Sequence, residues 1–129
     1  MIAKNRQSKI VKTLSDEIDG LELITLFGSA AGIAYQEKES DIDIAFLASK
    51  AINNIQRWDI QEKLASLLNS DVDLVDLSKS NDVLRFEVIA KGRSLFIKPS
   101  SKMERFLDGV YINYIQLNED RAEIIEKYA

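Results

Sequence analysis

The sequence predicts an α/β (α+β) domain: a small mixed sheet of about four strands flanked by helices, with a long C-terminal helix. Short runs of large apolar residues alternate with stretches whose apolar residues recur at helical spacing. The order is helix, strand, helix, strand, helix, strand, helix, strand, helix. Apolar residues make up 46% of the 129 residues, enough for one core and too few for two ordinary domains. Proline and glycine are sparse, at one and five residues, and no linker, repeat or low-complexity tract divides the chain. Residues 1–129 therefore read as a single domain, with a core at about 10–100.

The first helix is expected over residues 4–19, where Ile10, Val11, Leu14 and Ile18 share a face and Gly20 follows as a stop. Residues 21–27 are short and apolar and suit a buried strand. A short helix over 29–35 and a polar loop over 36–40 lead to a second strand at 41–47. Residues 51–68 place Ile55, Ile60, Leu64, Leu67 and Leu68 on one side of a helix. Residues 71–77 alternate as a third strand. Ser80 is the expected cap of a helix over 81–90 that Gly92 ends. A fourth strand spans 93–97, closed by Pro99. Ser101 and Glu104 match a capping box for a last helix over about 102–127. Met103, Leu107, Val110, Tyr114 and Leu117 form its apolar stripe, widened by Tyr111, Ile115 and Ile125.

Composition removes several chemistries. There are no cysteines, so disulfides, thiolate nucleophiles and zinc–cysteine sites are excluded. There are no histidines, so a serine–histidine triad and imidazole acid–base catalysis are excluded as well. Carboxylates and a metal are what remain. The net charge of −4 argues against direct nucleic-acid binding. No apolar run reaches membrane-spanning length and the N-terminus has no signal-peptide core, so a cytoplasmic location is expected.

One stretch concentrates the remaining chemistry. Gly28-Ser29 follows the first strand, and Asp41-Ile42-Asp43 opens the second. Side chains two apart on a strand share a face, so Asp41 and Asp43 point together, with Ile42 and Ile44 turned to the other side. In the third strand Asp71 and Asp73 face one way and Asp76 the other. If strands two and three are neighbours, Asp73 joins the first pair. Two charges ~4 Å apart repel by roughly 4 kcal/mol at an effective dielectric near 20. Such a cluster calls for a cation, and hard oxygen donors suit magnesium. A Gly-Ser turn alone marks any turn, and an Asp-x-Asp pair alone is ordinarily solvated. It is their conjunction within fifty residues that points to phosphate-and-metal chemistry.

Gly28-Ser29 followed by Asp41-Ile42-Asp43 resembles the signature of the polymerase-beta-type nucleotidyltransferase superfamily. Val72-Asp73-Leu74-Val75, the later Val83-Leu84-Arg85 and Lys91-Gly92-Arg93-Ser94-Leu95-Phe96, and the small size are similar to its minimal nucleotidyltransferase (MNT) branch. The resemblance covers about residues 10–100 and implies the polymerase-beta-like fold. It implies that Gly28 and Ser29 hold the phosphates of ATP. By the same likeness Asp41 and Asp43 bind catalytic Mg2+, and Asp73 is the third carboxylate, a ligand or the base. Members of the branch are often antitoxins paired with a HEPN ribonuclease toxin, and the implied activity is transfer of AMP from ATP to a tyrosine of that toxin. The implied partner is a HEPN-domain toxin, in a hetero-oligomer.

Two departures stand out. Eleven residues separate Ser29 from Asp41 where the family usually has ten, a change that loop closure absorbs easily. Ala30 and Ala31 stand where arginine often follows Gly-Ser, so Lys38, or a lysine or arginine of the segment 81–93, is expected to meet the triphosphate. Two alternatives remain at this level. One is an antitoxin acting by complex formation alone. The other is a transferase for a small molecule of the aminoglycoside type. The distal part of the last helix and Trp58 are the candidates for partner contact, against ordinary core packing.

Overall fold

The computed structural model describes residues 2–32 and 41–128. Four strands, β1 (Leu21–Phe27), β2 (Ile42–Ala48), β3 (Val72–Asp76) and β4 (Arg93–Ile97), form one sheet in the order β3-β2-β1-β4. β1 runs antiparallel to both β2 and β4, while β2 and β3 are parallel. The helices are α1 (Lys4–Glu17), α2 (Asn54–Leu68), α3 (Asp82–Lys91) and α4 (Ser101–Tyr128). The expected α/β (α+β) class, the four-stranded mixed sheet and the long C-terminal helix are all present.

Alternation along the strands fills both faces of the sheet. Ile24, Leu26, Ile42, Ile44, Phe46 and Leu74 form one face and pack with Ile10 and Leu14 of α1 and Ile60 and Leu64 of α2. Leu23, Ala45 and Leu47 form the other face and meet Val88 of α3 and Met103 of α4. The parallel β2–β3 pair follows from the α2 crossover between them, since parallel neighbours need a long connection.

Several expected details shift. Helix α1 stops at Glu17 rather than 19, because Ile18 is already extended and Gly20 takes a left-handed φ of +70°. The expected helix over 29–35 is, in its described part, a single 3-10 turn at Gly28–Ala31; Tyr35 and the loop 36–40 lie outside the described residues. On α2 only Ile60, Leu64 and Leu68 are buried, whereas Ile55 and Leu67 are exposed, so the expected five-residue stripe is a narrower one. Asn53 caps α2 by accepting from the Gln56 amide. Asn81, not Ser80, caps α3, because Ser80 Oγ donates instead to the Asp76 carbonyl. Likewise Ser100, not Ser101, caps α4, accepting from the Met103 amide at 3.0 Å. On α4, Met103 and Val110 are buried, but Tyr111, Ile115 and Ile125 are exposed and do not widen the packed stripe. Trp58 is likewise outside the core, at 53% exposure.

Candidate active site

All four site strands present one end of the sheet to the same region. β1 delivers Phe27, which pairs in register with Asp43 of β2, and Asp43 pairs on its other side with Asp73 of β3. Because β2 and β3 are parallel and in register, Asp43 and Asp73 project to the same face from strands about 4.8 Å apart. Asp41 stands just before β2, and the Ile42 amide beside it donates to the Asp71 carbonyl at 2.9 Å, holding the two strand starts together. Asp41 and Asp73 are exposed and Asp43 is half-buried. The structure thus brings Asp43 and Asp73 side by side, with Asp41 just before β2 and near enough for its charge to act on Asp43.

Burial pushes the Asp43 carboxyl above its ordinary 3.8, and the charges of Asp73 and then Asp41 push it further the same way. The order of causes fits the geometry, since Asp43 is the least solvated of the three and pairs directly with Asp73.

Gly28 joins the turn to this cluster. Its φ is +61°, a left-handed conformation that costs an L-residue roughly 1–2 kcal/mol. A Cβ at Gly28 would also collide with Oδ2 of Asp43. The Gly-Ser turn and the central carboxylate are therefore in direct contact, and a side chain at position 28 would push the Asp43 carboxylate aside. The turn then coils as Gly28–Ala31, with the Gly32 amide donating to the Ser29 carbonyl at 3.1 Å. The leading amides of such a turn have no partner within it and are available to an oxygen ligand.

Two other charged residues near these elements, Asp76 and Arg85, have structural tasks. Asp76, buried on the opposite face, accepts from the Ser78 amide and hydroxyl at 3.0 and 2.7 Å. Arg85 donates to the carbonyls of Leu77 and Ser78 at 2.7 and 2.8 Å. Lys38 lies outside the described residues.

Among the described residues, no three acidic side chains are drawn closely enough to hold a metal ion by themselves. The donor set is nevertheless wholly carboxylate oxygen on one open edge. That fits magnesium, which keeps several waters and commonly takes one or two carboxylates together with substrate phosphates. Phe27, the other neighbour of Asp43, carried no signal in the sequence beyond its place at the end of an apolar run; only the strand register identifies it as a wall of the site.

Known proteins resemble this chain in sequence and in fold. Residues 8–101 match the family model described as polymerase beta, nucleotidyltransferase. The chain is 42% identical over 120 residues to a protein adenylyltransferase, MntA, of Shewanella oneidensis, spanning 93% of this chain and 85% of that one. Among solved structures, it is similar to a complex of tri-AMPylated Shewanella oneidensis HEPN toxin with MNT antitoxin, with a TM-score of 0.78, 40% identity and 96% of each chain covered. It is similar as well to a toxin–antitoxin structure with AMP-PNP, with a TM-score of 0.80, 42% identity, and 94% and 96% of the two chains covered.

Proposed function

The chain belongs to the polymerase beta nucleotidyltransferase family, and from that premise we propose that it is an antitoxin that transfers AMP from ATP to a tyrosine hydroxyl of a HEPN toxin. The observation that carries this reading is the contact of the Gly28 turn with Asp43, itself in register with Asp73. It joins a phosphate-binding turn to a carboxylate edge. The relative MntA is a protein adenylyltransferase, and a similar structure holds a tri-AMPylated HEPN toxin beside its MNT antitoxin. No described helix is long and apolar enough to cross a membrane.

At phosphorus the reaction forms one bond and breaks one, and the tyrosine proton passes to a carboxylate. The tyrosine oxygen attacks the α-phosphorus of ATP, the bond from that phosphorus to the bridging oxygen breaks, and pyrophosphate leaves. Asp41 and Asp43 would hold Mg2+, which neutralises charge on the transferring and leaving phosphates. Gly28 and Ser29 cradle phosphate oxygens with backbone amides and the serine hydroxyl. Asp73, the most outlying of the three on the sheet and exposed, takes the tyrosine proton as the hydroxyl attacks. Asp43 is held where the turn also lies, so carboxylate and phosphate sites keep a fixed separation.

The test uses ATP labelled at either the α- or the γ-phosphate, incubated with the chain, its HEPN partner and magnesium. Label should reach the toxin from the α position only, and the Asp41→Ala/Asp43→Ala double variant should transfer none. Label arriving from the γ position would make this a kinase instead. Undiminished transfer by the double variant would remove these carboxylates from the site.

A further inference from the structure

A triphosphate brings several negative charges to a turn made of glycine, serine and two alanines, which offers amides and a hydroxyl but no cation. Three basic residues lie in the segment that returns from α3 to the sheet: Arg85, Lys91 and Arg93. Arg85 is engaged by two carbonyls, and its guanidinium lies 5.9 Å from the centre of the Phe106 ring. Lys91 pairs with Glu87 at 3.1 Å, one helical turn away. Arg93 is exposed, and its side chain makes no hydrogen bond or ion pair among the described residues.

Its position is well defined. Arg93 opens β4 and pairs in register with Leu26, one residue before β1 ends and two before Gly28. Gly92 fixes that corner: a Cβ there would run into the Val88 and Leu26 carbonyls and Cγ2 of Thr25, so α3 and β4 meet flush against the end of β1. Across the sheet end the strands therefore carry, in order, Asp73, Asp43, Gly28 and Arg93. Neighbouring strands are about 4.8 Å apart. A nucleotide with its α-phosphate at the carboxylates and its next phosphate on the turn extends its terminal phosphate toward β4. Arg93 pairs with Leu26, so its side chain leaves β4 from the face opposite to Asp43, and the guanidinium has to round the end of the sheet to reach the turn.

We propose that Arg93 is the cation that binds the terminal phosphates of ATP, a positioning residue that selects a nucleoside triphosphate and orients pyrophosphate to leave. This rests on the nucleotidyltransferase reading above. Calorimetric titration of the full-length chain with Mg–ATP and with AMP tests it. Arg93→Ala should weaken Mg–ATP binding roughly ten- to a hundredfold, the worth of a charge-assisted contact, and leave AMP binding within about twofold. Arg93→Lys should recover part of the loss, and Lys91→Ala should bind Mg–ATP like the native chain. If Arg93→Ala binds Mg–ATP as the native chain does, or loses ATP and AMP alike with its circular dichroism unchanged, Arg93 has no such role. If the native chain binds no Mg–ATP at all, the nucleotidyltransferase reading itself falls.

Discussion

Gly28 and Asp43 constrain each other, and that contact makes both residues testable. Gly28→Ala meets two costs, the left-handed φ and the collision with the Asp43 carboxylate. It should lower unfolding free energy by about 1–2 kcal/mol in urea titration. By displacing Asp43 it should slow AMP transfer by at least about tenfold. Asp43 has the opposite profile. Its folded pKa is raised, so as pH falls the folded chain takes up this proton before the unfolded chain does. The ionised carboxylate therefore destabilises the metal-free fold above that raised value, and the penalty is relieved as pH falls toward 3.8. Asp43→Asn should consequently raise the metal-free Tm at pH 7 while abolishing transfer, a separation of stability from function that calorimetry and a labelling assay can read on one sample. A lower Tm for this variant would contradict the electrostatic account of the cluster. For the same reason, protons should compete with magnesium, whose affinity should weaken as pH drops into the range where Asp43 titrates.

At the scale of elements, the two edges of the sheet differ. Gln61 of α2 accepts from the Leu74 amide at 2.9 Å, and Arg57 donates to the Leu74 carbonyl at 3.0 Å, so side chains of α2 close the outer edge of β3. That closure keeps Asp73 beside Asp43. Leu64, fully buried beneath the same strands, holds α2 in place. Leu64→Ala should cost about 2–5 kcal/mol, visible as a lower urea midpoint. Helix α4 behaves differently along its length. Its first half packs through Met103 and Val110, and Tyr114 stacks on Phe86 with ring centres 3.7 Å apart. Ile124 and Ile125 are exposed, at 58% and 69%. Ile124→Ala should change the stability of the isolated chain by no more than about 0.5 kcal/mol. The element types were legible because apolar spacing distinguishes period 2 from period 3.6. The caps were not, since Ser80–Asn81 and Ser100–Ser101 each offer adjacent capping side chains and only the hydrogen bonds show which one meets the helix.

At the scale of the molecule, the three aspartates were legible because strand alternation decides which side chains share a face. Their grouping also needed β2 and β3 to be neighbours, and the α2 crossover supplies that. The placement of β4 against β1 was not legible, because no local pattern says which edge a last strand joins. Hence the sequence left Arg85, Lys91 and Arg93 equivalent, while the assembled sheet puts only Arg93 of the three at the end of β1 without a partner among the described residues. The exposed Ile55 and Leu67 were misassigned for a related reason: α2 carries apolar residues on more than one side, and packing chooses among them. The fold sets a Gly-Ser turn against a carboxylate edge, and the proposed activity moves AMP onto a toxin there. The most direct measurement is the intact mass of the HEPN partner after co-expression with the native chain or with the Asp41→Ala/Asp43→Ala variant. With the native chain the toxin should be heavier by whole AMP units, a gain lost on tyrosine replacement, and with the variant it should be unmodified. An unmodified toxin in both cases, with the complex still formed, would contradict it and leave neutralisation by binding alone.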